Sequence, residues 1–168
     1  MATKRQLVVF KIGVEEFAVD ISLTKEIVVM REITPVPETL EFVEGVMNLR
    51  GNLVPVLDFR KRLRAGRSNA HPDMRIIIVN VDGKQTGLIV DGASEVVRAA
   101  DEMIEPPPDV LAEIGADYVE GIINLNNRYI TLLDMRRALS GDIDHELDEV
   151  MGLMSKSVSG ILAPAKSA

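Results

Sequence analysis

The sequence predicts an all-β protein made of two similar halves that share one hydrophobic core. Three observations carry that reading. The apolar residues are biased toward branching at Cβ, with 20 Val and 15 Ile against 16 Leu, and such side chains suit a pleated strand better than a helix. Short apolar runs recur along the chain with turn residues between them, the density expected of a sandwich or small barrel. A block of 22 residues returns 76 positions later. At 168 residues the chain fits one domain of ordinary size, or two small halves that complete each other.

Taken in order, the predicted strands are Gln6 to Ile12, Glu16 to Ile21, Glu26 to Ile33, Gly45 to Arg50, Leu53 to Leu57, Arg75 to Val81, Gln85 to Asp91, Glu95 to Arg98, Gly121 to Leu125 and Tyr129 to Leu133. Val81-Asp82-Gly83-Lys84 is a tight hairpin signal, because Asp-Gly accepts the positive φ angles of a two-residue turn. Pro55 has no N–H to give to a ladder, so its strand is expected at an edge or bulged there. Short helices led by proline are expected at 37–42 and 108–114. The polar run 64–72 reads as the link between halves. After Asp142 the strand signals stop, and Leu147, Val150, Met151 and Met154 fall at helical spacing.

The repeat sets FVEGVMNLRGNLVPVLDFRKRL (42–63) against YVEGIINLNNRYITLLDMRRAL (118–139). Val43, Glu44, Gly45, Asn48, Leu49, Leu57, Asp58, Arg60 and Leu63 recur as the identical residue, nine of 22 positions, which is beyond coincidence. Each copy reads as a hairpin ending in one helical turn, its bend placed at Gly51-Asn52 in the first copy and Asn126-Asn127 in the second. Two halves of this size each curl into a small barrel only with extra burial, which packing against each other supplies. The expected domain is 4–143, divided at about 4–66 and 73–143, with a tail at 144–168 that forms a short helix and then frays.

Composition excludes much. There is no Cys, so disulfides, thiolate nucleophiles and cysteine-ligated metals are out, and two His leave little for a histidine site. No cofactor or metal is expected. The net charge of −7 argues against nucleic acid or an anionic membrane as partner. The N-terminal apolar stretch is too short for a signal peptide, and no window is long enough to span or insert into a membrane. No phosphate-binding, calcium-loop or nucleophile motif stands in the right spacing, so the chain is not expected to be an enzyme.

Gly45-Val46-Met47-Asn48-Leu49-Arg50-Gly51-Asn52-Leu53-Val54-Pro55-Val56-Leu57-Asp58-Phe59-Arg60 closely resembles the signature of the CheW-like family of bacterial chemotaxis coupling proteins. Phe17-Ala18-Val19-Asp20-Ile21 and Lys25-Glu26-Ile27 support it upstream, and Gly87 to Gly92 and Tyr118 to Gly121 in the second half; the resemblance covers roughly residues 5–140. It implies two five-stranded barrels around a shared core, acting as a cytoplasmic scaffold between the regulatory domain of a CheA-type histidine kinase and the cytoplasmic tips of methyl-accepting chemoreceptors. The scaffold would then sit at the inner face of the membrane through receptor arrays. The same scaffold could serve a kinase pathway of motility, biofilm formation or development, and a ligand-binding β-barrel module is the more distant alternative.

The resemblance makes Lys25, Glu26, Ile27, Arg50 and Gly51 the candidate receptor or kinase contacts. Read on its own, Arg50 beside a turn is simply a solvated hairpin residue; the resemblance reverses that preference. Val28-Val29-Met30-Arg31 is more apolar than a free edge strand should be, which fits either a buried strand or an edge that a partner completes. Gly45, Leu49, Pro55 and Gly121 are structural members of the motif, Asn48 and Asn124 are expected to bond their own loops, and Asp58 and Asp134 to cap helices. The cation run 60–67 reads as a solvated connector.

Overall fold

The computed structural model describes residues 4–36, 42–62, 71–109, 118–140, 145, 147–149, 151 and 152, the side chain of Ser94 aside. The strands are β1 (Lys4–Ile12), β2 (Glu15–Asp20), β3 (Thr24–Val29), β4 (Val43–Leu49), β5 (Asn52–Asp58), β6 (Arg75–Val81), β7 (Lys84–Val90), β8 (Gly92–Ala100), β9 (Ile104–Glu105), β10 (Val119–Leu125) and β11 (Arg128–Leu133). Single helical turns, α1 (Phe59–Arg62) and α2 (Met135–Ala138), follow β5 and β11. The all-β class holds, and both repeat copies are hairpins ending in a helical turn.

One sheet has the order β8-β1-β2-β11-β10-β9 and the other β3-β6-β7-β5-β4. The sheets therefore do not coincide with the chain halves 4–66 and 73–143. The leading hairpin of each half is exchanged: β1–β2 joins β8 to β11, while β6–β7 joins β3 to β5. Each exchanged hairpin is bordered by an antiparallel strand on one side and a parallel one on the other, β2 with β11 and β7 with β5. Parallel neighbours need a long crossover, and the exchange provides it.

Period-2 alternation sorts the apolar residues into three clusters. Ile76 and Ile78 of β6, with Val54, Val56 and Val28, line the inside of the five-stranded sheet. Leu7 and Val9 of β1, with Ile130 and Leu132, line the inside of the six-stranded one. The intervening residues, Val8, Phe10 and Ile12 from β1 and Ile77 and Val79 from β6, meet Phe17, Leu57 and Phe59 in the shared core. Both faces are thus buried, and the shared core of the sequence reading is present. Neither sheet closes through a continuous ladder. The five-stranded one comes round to an isolated bridge, in which Thr34, beyond edge strand β3, exchanges hydrogen bonds of 2.8 and 2.9 Å with Val46 of edge strand β4.

Several expectations are corrected. The strand begun at Glu26 ends at Val29, not Ile33, because the chain leaves β6 to reach β4 at Thr34. The strand at 95–98 extends over the whole of β8 to pair with β1, and β9 lies beside β10 unforeseen. Pro55 sits in β5, which has neighbours on both sides. Its missing donor is harmless: Val46, directly opposite, spends its N–H and C=O on Thr34, so Pro55 faces β7, whose ladder begins only at Val56. Leu147 is buried in the shared core and Met151 packs against it, whereas Val150 and Met154 lie outside the described residues. So do most of the proline-led segments, the link at 64–72 apart from His71 and Pro72, and the tail after 152.

Candidate functional site

The first-copy hairpin turns at Arg50-Gly51, with φ of 52° and 87°, one residue earlier than the Gly51-Asn52 expected. Asn126-Asn127 occupies the same positions in the second copy with φ of 52° and 68°. Positive φ at both central residues is the signature of a type I′ turn, whose twist matches the flanking strands. Asn and Gly accept that geometry; arginine adopts it rarely. Asn48 Oδ1 accepts the Gly51 N–H at 2.8 Å and Asn124 Oδ1 that of Asn127 at 3.2 Å, so the two asparagines hold the turns and the left-handed Arg50 is kept in place.

The backbone aims Arg50 across the opening of the sheet. Its guanidinium makes a bidentate pair with Glu26 of β3, at 2.7 and 2.8 Å. Glu26 lies on edge strand β3 and Arg50 in the turn that follows the opposite edge strand β4, so the pair clasps the mouth that the Thr34 bridge narrows. The clasp holds the Glu26 carboxyl below its ordinary range, chiefly through the hydrogen bonds from Arg50, and raises Arg50 in return. Arg50 remains 68% exposed through its side chain, leaving its outer face open.

Beside the clasp runs the free edge of β3. Lys25 occupies a bulge between Thr24 and Glu26, a device that re-aims a side chain. Ile27 lies directly opposite Ile77, yet Ile77 is fully buried in the shared core while Ile27 is 41% exposed and Val29 58% exposed, with Met30 partly exposed next to them. Of the run 28–31, Val28 is buried in the inner cluster and Val29 and Met30 are exposed, so β3 is an edge strand with one buried face. Ile27, Val29 and Met30 with Lys25, Glu26 and Arg50 form an apolar strip flanked by charge, and Gly51 lies at its end of the hairpin.

The remaining motif residues are structural in their contacts. A Cβ on Gly45 would lie 2.0 Å from the Thr34 carbonyl oxygen, and one on Gly121 would lie 2.7 Å from that of Glu105. Both glycines therefore admit the segment that borders their hairpin. Leu49 is buried with the inner cluster of its sheet. Asp134 caps α2 by accepting the Arg137 N–H. Asp58 accepts the Arg60 N–H at 3.1 Å as a cap does, but it also takes the Arg60 side chain at 2.9 and 3.0 Å. Arg60 is buried and continues to Asp91 at 3.1 Å. Lys61 pairs with Glu44, and Arg62 lies over the Tyr118 ring. The described part of the cation run, 60–62, is thus engaged and not a solvated connector. Spacing gave no sign of Asp91 as a partner, since it is 31 residues from Arg60.

Among the described residues no group of acidic and histidine side chains is placed to hold a metal, and no helix is long and apolar enough to cross a membrane. A cavity of about 590 Å³ lies between β5, the β6–β7 hairpin and the helical residues near Leu147, lined by Leu53, Pro55, Val81, Leu139, Leu147 and Met151.

The family model of the CheW-like domain matches residues 6–142. This chain belongs to the CheW-like family. It is 35% identical over 133 residues to the chemotaxis protein CheW of Rhizobium meliloti (strain 1021), covering 78% of this chain and 84% of that protein. It is 31% identical over 139 residues to the chemotaxis protein CheW of Treponema pallidum (strain Nichols), covering 80% and 82%. Among solved structures, the scaffolding protein TtCheW from Thermoanaerobacter tengcongensis matches with a TM-score of 0.75 and 36% identity, over 84% of this chain and 96% of that one. Sequence and fold agree over the same CheW-like region, and the chain is a chemotaxis coupling scaffold.

Proposed function

We propose that the scaffold acts without catalysis by holding a CheA-type histidine kinase regulatory domain and the cytoplasmic tip of a chemoreceptor at the same time, inside the cell at the membrane face where receptors cluster. The observation that supports a partner surface is the Glu26–Arg50 clasp beside the exposed strip Ile27, Val29 and Met30. Arginine kept at positive φ in a turn that Asn fills in the second copy is local strain, of the kind that accumulates at binding sites. An apolar edge strand left open is a hazard unless something covers it. Lys25, Glu26, Ile27, Arg50 and Gly51 are the proposed contacts.

Such a scaffold raises the effective concentration of its partners, and transmits a receptor state only if its contacts differ in free energy between kinase-on and kinase-off states. The test is kinase binding and receptor-dependent autophosphorylation in a reconstituted system with Arg50→Asn. Asparagine accepts the turn geometry, so the hairpin persists while the clasp is lost. Folding as in the parent with receptor coupling weakened on the order of tenfold is the expected result. Normal coupling by Arg50→Asn would remove Arg50 from the contact surface.

A further inference from the structure

Asp91 occupies the crossover where β7 of the five-stranded sheet ends at Val90 and β8 of the six-stranded sheet begins at Gly92. It is almost fully buried, and its carboxylate gathers groups from three other places. Oδ2 accepts the Gly13 N–H at 2.7 Å, in the β1–β2 turn of the six-stranded sheet. Oδ1 accepts from Arg60 Nη1 at 3.1 Å, in the turn that ends β5 of the other sheet. His71, near the start of the second half, brings Nε2 within 3.1 Å of the same oxygen. The Asp91 N–H donates to the Lys11 carbonyl at 2.9 Å. Arg60 is meanwhile gripped by both oxygens of Asp58.

Beside this cluster, α1 reaches the second repeat copy. Arg62 donates to the Ala138 carbonyl at 3.3 Å and lies 4.8 Å from the centre of the Tyr118 ring. In the second copy Arg136 and Arg137, at the positions of Arg60 and Lys61, are instead exposed and pair with Asp82 and Asp134 at 3.6 Å each, and Ala138 stands at the position of Arg62. The two copies therefore differ at their helical turns: the first buries Arg60 at the junction, while the second keeps its arginines at the surface. The shared core that also joins the sheets is apolar. Apolar burial is non-directional, whereas a buried carboxylate with fixed donors is directional.

We infer that Asp91, with Arg60 and Asp58, is a fastener that sets the angle between the two sheets, so that the six-stranded sheet is held at a fixed angle to the proposed contact surface on the five-stranded one. The signalling part of this inference rests on the scaffold function proposed above; the geometric part does not. Asp91→Asn keeps the shape but leaves one oxygen for donors that now use two, releasing either Gly13 or Arg60. Arg60→Lys keeps the buried charge but cannot span Asp58 and Asp91 together.

The chain has no cysteine, so spin labels placed by Val14→Cys in the β1–β2 turn and Val29→Cys on β3 report one distance between the sheets by pulsed electron resonance. The expected result is a narrow distribution in the parent and a broadened distribution, or one shifted by several ångströms, in Asp91→Asn. In unlabelled protein the same variant is expected to keep its kinase affinity and to lose receptor-dependent control of the kinase on the order of tenfold. A folded Asp91→Asn with an unchanged distribution overturns the inference. If that variant does not fold, Arg60→Lys decides in the same way: a shift supports the fastener and an unchanged distance overturns it. A broadened distance with full receptor control overturns the signalling part. Parent protein that binds neither partner refutes the scaffold reading alone, and the distance measurement still decides the fastener.

Discussion

Gly45→Ala is the sharpest test of how the five-stranded sheet comes round on itself. Gly45 has φ of 144°, and a Cβ there would meet Thr34 O at 2.0 Å, Thr34 C at 2.7 Å and Pro35 Cα at 2.9 Å. All three atoms are backbone, so no side-chain rotation relieves the clash. The segment must withdraw, and withdrawal breaks both Thr34–Val46 hydrogen bonds. Two backbone bonds contribute about 2 kcal/mol together. Holding a non-glycine residue in this backbone region adds about 1–3 kcal/mol. The sum is roughly 3–5 kcal/mol, a large part of the stability of a domain this size.

Gly83→Ala is the companion variant. Gly83 has φ of 82°, but no atom lies within 4 Å of the point a Cβ would occupy, so only backbone strain applies and the loss is about 1 kcal/mol. Urea unfolding followed by circular dichroism measures both differences, with the slope checked for two-state behaviour. Equal losses in the two variants would refute the argument, because they would show that the approach of Thr34 adds nothing beyond the positive φ.

Three further outcomes are expected. Asp58→Ala leaves Arg60 buried without its bidentate partner and costs about 3–5 kcal/mol, against about 1 kcal/mol for Asp134→Ala, which removes a cap; similar losses in thermal unfolding would show that the Asp58 pair is not structurally special. Glu16, held low chiefly by hydrogen bonds from Arg128, and Asp20, where burial pushes up but the Ser22 and Arg5 contacts win, both have folded-state pKa values below their ordinary 4.5 and 3.8. Their stabilisation is complete above those ordinary values and is lost as pH falls through the lower folded ones, so urea midpoints should drop on acidification below about pH 4.5, and Arg128→Gln should reduce the slope; a flat profile would contradict the shifts. Ile27→Asp and Val29→Asp change exposed positions of β3 and should leave melting nearly unchanged while weakening partner binding on the order of tenfold or more, measured by calorimetry against the kinase regulatory domain.

Much of this molecule was legible because it depends on neighbours along the chain. Asp82-Gly83 reads as a tight turn because two consecutive residues must accept positive φ, and the structure has them at 51° and 82°. The unbroken apolar run Ile76 to Val79 announces a strand, and the repeat announces two equivalent hairpins. The family signature lies in one uninterrupted run, Gly45 to Arg60, and so needed no fold to be recognised. The turn falls one residue earlier than the pattern suggests, because Gly51-Asn52 looks more permissive than Arg50-Gly51. The Asn48 bond, the ladder on either side and the pair with Glu26 hold arginine in the left-handed region.

What the sequence by itself determined was the strand-rich class, the repeat and the family signature, since each is written in neighbours along the chain. What only the tertiary structure decided was which strands lie alongside one another. The exchange of β1–β2 and β6–β7 between sheets, the clasp between Glu26 and Arg50, and the meeting of Asp58, Arg60 and Asp91 all join groups far apart in the chain. Local pattern fixes a strand's faces and leaves its edges open; pairing partners are chosen by the packing of the whole, and the site and the fastener both lie on those choices.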